Sequence, residues 1–163
     1  MTVTEVRKDS TALTMTVVSE WDAPVAGVWQ LWADPRKLER WWGPPTHPAT
    51  VVDHDLRPGG KVSYFMTSPE GERFHGWWAV VAVDELHRLD LEDGFTDADG
   101  TPNDALPTTK FTVTLAALPT GATRMLIESR FPSRDAMDQL IAMGMEEGLA
   151  AAMGQIDAIL SEP

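Results

Sequence analysis

Ala23-Pro24-Val25, Val28-Trp29, Trp32-Ala33-Asp34-Pro35, Leu38 and Trp41-Trp42-Gly43-Pro44 lie along the stretch on which the fold turns. Val25, Val28, Trp29 and Trp32 recur at helical spacing, Asp22 offers an N-cap and Pro24 suits the first turn. A short helix therefore runs to about Ala33. Asp34-Pro35 restarts the chain, and Leu38, Trp41 and Trp42 fit a second short helix that Gly43-Pro44-Pro45 ends. Upstream, Leu13, Met15 and Val17 alternate with Thr14, Thr16 and Val18, the mark of a strand.

Downstream the period changes to two. Thr50 to Leu56 leads into Arg57-Pro58-Gly59-Gly60, and Lys61 to Thr67 ends at Ser68-Pro69-Glu70-Gly71, a hairpin signal. Arg73 to Val83 contains Gly76 between bulky neighbours, which suggests a bulge or bend. Arg88 to Glu92 is a further strand. Glu92 to Thr108 reads as a long loop rich in Asp, Gly and Pro, longer than most connections. Phe111, Val113 and Leu115, then Met125, Ile127, Ser129 and Phe131, each alternate with polar residues, as in an antiparallel sheet covered on one face. From Ser133, an N-cap candidate, Met137, Ile141, Met145, Gly148, Ala152, Ile156 and Ile159 keep a spacing of three to four. Residues 134–160 would form one helix of about 40 Å, enough to cross the sheet. The expectation is an α+β fold: a curved antiparallel sheet of about seven strands gripping a long C-terminal helix, with two short helices after the first strand.

Composition narrows the function. The 163 residues carry 13 Lys+Arg against 25 Asp+Glu, a formal charge of −12, which argues against a nucleic-acid binder needing a basic patch. Eight carboxylates and one base, Arg88, lie between Asp84 and Asp104. We read them as a solvated turn and loop; a loop that repels anions from a nearby opening is the sharper alternative. No cysteine is present, so there is no disulfide framework, thiol nucleophile or thiolate metal site. The start, Met1 to Lys8, has no apolar run of a secretory signal, and the most apolar late stretch carries Arg134, Asp135, Glu146 and Glu147. The expectation is a cytoplasmic protein with no membrane insertion, one domain over 1–163 with a core of about 11–160.

The tryptophan-rich stretch resembles the signature of proteins called activator of the 90-kDa heat-shock-protein ATPase homologue-like, within the START-like or SRPBCC superfamily of helix-grip, birch-pollen-allergen-like folds. Asp55-Leu56-Arg57-Pro58-Gly59-Gly60, Met66, Pro69-Glu70-Gly71, Gly76, Asp97-Ala98-Asp99-Gly100 and Met145-Glu146-Glu147-Gly148 follow in the order that family shows. The similarity runs from about Leu13 to Leu160. Leu149 departs from it, since members often carry Trp after the helix glycine, and this alters the expected cavity wall. The eukaryotic co-chaperones of that name carry a separate N-terminal domain; the expectation is that this chain lacks room for it, so that the resemblance does not imply chaperone activation. The superfamily implies a deep apolar cavity for lipid-like or polycyclic molecules, with aromatic cyclases among its relatives.

Seven tryptophans, all between Trp21 and Trp78, mark one end of that expected cavity. Trp29 and Trp32 read as core anchors. Trp41 and Trp42 are adjacent, so one packs and the other is available to the rim. Trp77 and Trp78 point to opposite faces of their strand; the family's pattern puts Trp78 inward. Gly144, Gly148 and Ala152 form a small-residue stripe, read equally as close packing or as space for a ligand, with Met143, Met145 and Met153 as adaptable neighbours. Tyr64, the only tyrosine, shares a face with Val62 and Met66 and, with Ser129, is a candidate polar group. The expected cavity residues are Trp41, Tyr64, Met66, Trp78, Val113, Ser129, Met145, Gly148, Leu149 and Ala152.

His47, His54, His75 and His87 have no zinc-motif spacing, and Asp97, Asp99 and Asp104 fail the EF-hand pattern because Pro102 occupies the glycine position. No metal or cofactor is expected. No Gly-x-Ser-x-Gly turn, cysteine nucleophile or phosphate cradle is present. The leading reading is a protein, monomer or homodimer, that holds a small hydrophobic molecule without catalytic residues. The alternatives are a cyclase- or hydrolase-like enzyme on a polyketide or aromatic compound, with His75 and Tyr64 as nominees, and a protein-interaction or stress-related module docking through exposed tryptophans.

Overall fold

Alternation decides which face each strand buries. Met15 and Val17, Phe111, Val113 and Leu115, and Met125 and Ile127 are all buried, while Arg124 and Arg130 between or beside them are exposed. The computed structural model describes residues 3–96, 103 and 106–162. Their order is β1 (Val3–Asp9), β2 (Thr14–Trp21), α1 (Val25–Ala33), α2 (Pro35–Trp41), β3 (Ala49–His54), β4 (Lys61–Thr67), β5 (Arg73–Asp84), β6 (Arg88–Thr96), β7 (Thr109–Ala117), β8 (Thr123–Arg130), α3 (Arg134–Ala142), α4 (Met145–Met153) and α5 (Ile156–Leu160).

The strands form one curved sheet in the order β1-β2-β8-β7-β6-β5-β4-β3, every neighbour antiparallel. Met137, Leu140, Met153, Ile156 and Ile159 of the C-terminal helices join the core that the sheet's covered face provides. This is the helix-grip arrangement, with two differences from the expectation.

The sheet has eight strands, not about seven. The extra one is β1, whose exposed Glu5, Arg7 and Lys8 leave no apolar alternation to read. Backbone pairing with β2 recruits it, so the signal lies in the partner and not in the strand itself. The second difference is the long helix, which is three segments. Gly144 has φ +91°, a left-handed conformation that ends α3 and starts α4. A further turn at Gly154-Gln155 separates α4 from α5. Ser133 does cap α3, its Oγ accepting from the Ala136 N–H at 3.1 Å. By contrast Asp22 caps nothing: α1 begins after Pro24, without a side-chain cap. Asp34 caps α2 instead, its carboxylate accepting from the Arg36 N–H at 2.9 Å ahead of Pro35.

Two local features position the site. The irregularity expected at Gly76 lies between Val80 and Ala82, which restores Val83 to the inner face opposite Leu89. Gly76 stays in register with Tyr64. The edge strand β3 is tied to α2: the Val51 N–H donates to Glu39 Oε1 at 3.0 Å and its carbonyl accepts from Arg36 Nη2 at 3.0 Å. Side chains thereby occupy edge groups that would otherwise template another strand. The Gln155 side-chain amide donates to the Gly43 carbonyl at 2.7 Å, fastening the last helices to the turn after α2.

Candidate ligand site

Trp42 follows α2 at the point where the chain turns towards β3, and its indole is the hub of the site. Its ring centroid lies 5.0 Å from Trp78, 5.5 Å from Trp41, 5.8 Å from Phe111, 5.9 Å from Trp32 and 6.2 Å from Tyr64. The contacts are edge-to-face, which sets the positive rim of one ring on the negative face of another. Trp41 is fully buried and donates its N–H to the Leu31 carbonyl at 3.0 Å. Of the adjacent pair, Trp41 is thus the anchor and Trp42 the wall, the reverse of the sequence expectation. Successive residues on a helix diverge by about 100°, so the two indoles leave α2 in different directions.

A pocket of about 400 Å³ lies between this cluster, strands β4 to β7 and helices α3 and α4. Met66, Phe74, Phe95, Phe111, Leu140, Met143, Met145 and Leu149 line it with carbon. Gly144 and Gly148 complete the helical wall, and a Cβ at Gly148 would meet nothing within 4 Å. Phe74 and Met143 are also exposed, so the pocket opens to solvent beside them.

Its polar lining is Tyr64, Asp93, Thr109 and His47. Tyr64 lies across Gly76: a Cβ there would stand 2.4 Å from the phenol carbon and oxygen. Gly76 is therefore the seat of the tyrosine ring. Burial, reinforced by the nearby Asp93 charge, pushes the Tyr64 phenol far above its ordinary range, so it stays neutral. The indole N–H groups of Trp42 and Trp78 oppose that shift, yet neither N–H makes a hydrogen bond. The buried Trp32 N–H and Ser129 hydroxyl are equally without partners. Asp93 continues the inward series Leu89-Leu91-Asp93-Phe95. Its carboxyl is pushed up to about 7, first by burial and then by the charge of Glu92.

Five expected cavity residues, Tyr64, Met66, Met145, Gly148 and Leu149, line the pocket. Trp41, Trp78, Val113, Ser129 and Ala152 do not: all five are at most 1% exposed, packed within the core. Sequence reading missed Asp93, Phe95, Trp42, Phe74 and Phe111 as lining residues. For Asp93 and Phe95 a signal existed, since the alternation of Leu89 and Leu91 continues through both. Ending the strand at Glu92 hid it, whereas β6 reaches Thr96.

Other expectations are corrected here. His75 sits beside Phe65, ring centroids 5.6 Å apart, and does not line the pocket, so it is no acid or base there. Trp77 lies across Gly94 and donates to the Phe95 carbonyl at 3.2 Å. Six tryptophans are buried and Trp77 is half-buried, so no exposed tryptophan patch exists. His54 is satisfied, its Nε2 standing 2.9 Å from the Trp32 carbonyl. The calcium reading of Asp97, Asp99 and Asp104 falls outside the described residues. Among the described residues no three His, Asp or Glu side chains stand together as a metal site, and no helix is long and apolar enough to cross a membrane.

Comparison with known proteins gives a family match over residues 22–161, to activator of Hsp90 ATPase homolog 1-like protein. No curated protein matches the chain. A crystal structure from Mycobacterium smegmatis is 48% identical, covering 99% of this chain and 98% of that one with TM-score 0.91. A solution structure from Arthrobacter aurescens is 49% identical, covering 99% and 94%, with TM-score 0.94. The fold alone is shared with a protein of the dynemicin biosynthetic locus: 20% identity, 91% and 47% coverage, TM-score 0.64.

Proposed function

We propose, from the premise that this chain belongs to the activator of Hsp90 ATPase homolog 1-like family, that it is a cytoplasmic protein that holds a small hydrophobic molecule in the pocket beside Trp42. The observation that carries this reading is the pocket of about 400 Å³ behind a wall of carbon and two helix glycines. Protein interiors pack with few voids larger than a water molecule. Space of this size, with a few convergent polar groups, falls in the range of ligand sites, roughly 300–1,000 Å³. The open space at Gly148 supports the same conclusion, because alanine there would favour the helix by about 1 kcal/mol without steric cost.

The test is Gly148→Trp, which projects an indole into the pocket. Wild-type protein should bind an uncharged hydrophobic fluorescent probe such as Nile red and the variant should not, while both keep the same circular dichroism. Native mass spectrometry of protein purified without detergent should show a co-purifying small molecule that the variant lacks. Unchanged probe binding by a folded variant refutes the assignment to this pocket.

A further inference from the structure

The pocket is built from aromatic faces around one carboxylate. Among the described residues Asp93 is the only acidic side chain in the lining, and no lysine or arginine lines it. Among the described residues nothing hydrogen-bonds or ion-pairs with its carboxyl. Tyr64, 9% exposed, lines the same pocket, and the Asp93 charge acts on its phenol. A half-buried carboxylate with no partner is costly, and a charge of opposite sign is what offsets that cost. None of the described lining residues supplies one. Phe95 and Phe111 flank Asp93 and Thr109 in the lining, Trp42 stands against Phe111 and Tyr64, and a cation over such rings gains further attraction.

We propose that the pocket selects an apolar molecule carrying one positive charge, an amine or quaternary ammonium, with Asp93 as counter-ion and Trp42, Tyr64, Phe95 and Phe111 as the surrounding aromatic wall. This rests on the ligand-binding reading above and specifies its substrate class. The net charge of −12 favours the same sign of ligand by raising cation concentration near the surface.

Among the described residues the groups near Asp93 are few. Glu92 adjoins it on β6, Tyr64 comes from β4, His47 from the turn before β3, and Thr109 from β7. The lining residues of α3 and α4 are uncharged. Because the empty-pocket carboxyl titrates at about 7, a cation that cannot itself titrate should bind with an affinity that rises with pH and levels off above that value. Below it, the affinity should fall by up to about tenfold per pH unit until only the hydrophobic part of the binding remains.

Isothermal titration with decyltrimethylammonium, decanol and decanoate, each below its aggregation concentration, tests the proposal. At pH 8 the cation should bind at least about tenfold tighter than decanol, and decanoate weakest. In Asp93→Asn the preference for the cation over decanol should vanish, and the pH dependence with it, while decanol binding is kept. Equal binding of decanol and the cation by wild type overturns the charge selectivity but leaves the hydrophobic pocket standing. Failure of all three to bind overturns the pocket assignment itself. If Asp93→Asn does not fold, the wild-type pH series decides: a flat series for decyltrimethylammonium between pH 5 and 8 refutes the role of Asp93.

Discussion

Asp93→Asn should stabilise the empty protein at alkaline pH and lose that advantage in acid. The side-chain carboxyl moves from an ordinary 3.8 to about 7 on folding. The folded protein therefore holds the proton more tightly than the unfolded chain between those values. Stability from this group is fully present below pH 4, falls as pH rises towards 7, and stays at its lower level above. Three units at about 1.4 kcal/mol each set an upper bound of about 4 kcal/mol. The side chain is half-buried and the pocket opens to water, which brings the expectation to about 2–3 kcal/mol. Asparagine has nearly the same shape and does not ionise, so it removes the pH-dependent part. Urea denaturation of both proteins from pH 4.5 to 9 gives the difference curve, in which other titrating groups cancel. The variant's relative stability should climb through pH 5–7 and then plateau. A curve flat across that window refutes the burial argument for Asp93. A curve that falls with rising pH would mean that a donor or cation holds the carboxylate ionised.

Gly76→Ala should destabilise by about 1–3 kcal/mol, because the new methyl collides with the Tyr64 ring; in a double-mutant cycle with Tyr64→Ala, chemical denaturation should show most of that cost disappearing. Gly144→Ala forces a Cβ into φ +91° and should cost about 1–2 kcal/mol by the same measurement, with no compensating gain in helicity. Glu39→Ala frees the edge N–H of Val51; hydrogen exchange at that amide should accelerate relative to the interior amides of β4, and a rate unchanged from wild type would show that α2 does not guard this edge.

Local chemistry carried most of the architecture. Helical spacing located α1 and α2, alternation located β4, β7 and β8, and Ser133 marked the start of α3. Each is a property of neighbours in the chain, and so it is legible without the fold. The motif from Ala23 to Gly43 also pointed to the family, and Tyr64, Met66, Met145, Gly148 and Leu149 to the pocket.

What was not legible depends on residues distant in sequence. β1 is polar and becomes a strand only because β2 offers an edge. Gly76 looks like a weak point in β5 until the Tyr64 ring from β4 is laid across it. The choice between Trp41 and Trp42 turns on which one meets α1 and which meets Trp78 and Phe111, strands away. Asp93 had the right parity, but an acidic residue in an acidic stretch reads as solvated surface. Its burial follows from its pairing with both Trp78 of β5 and Thr109 of β7, with α3 and α4 closing over the sheet. Alternation is set by the chain's own pleat, whereas the environment of a side chain is set by whatever the rest of the fold brings against it.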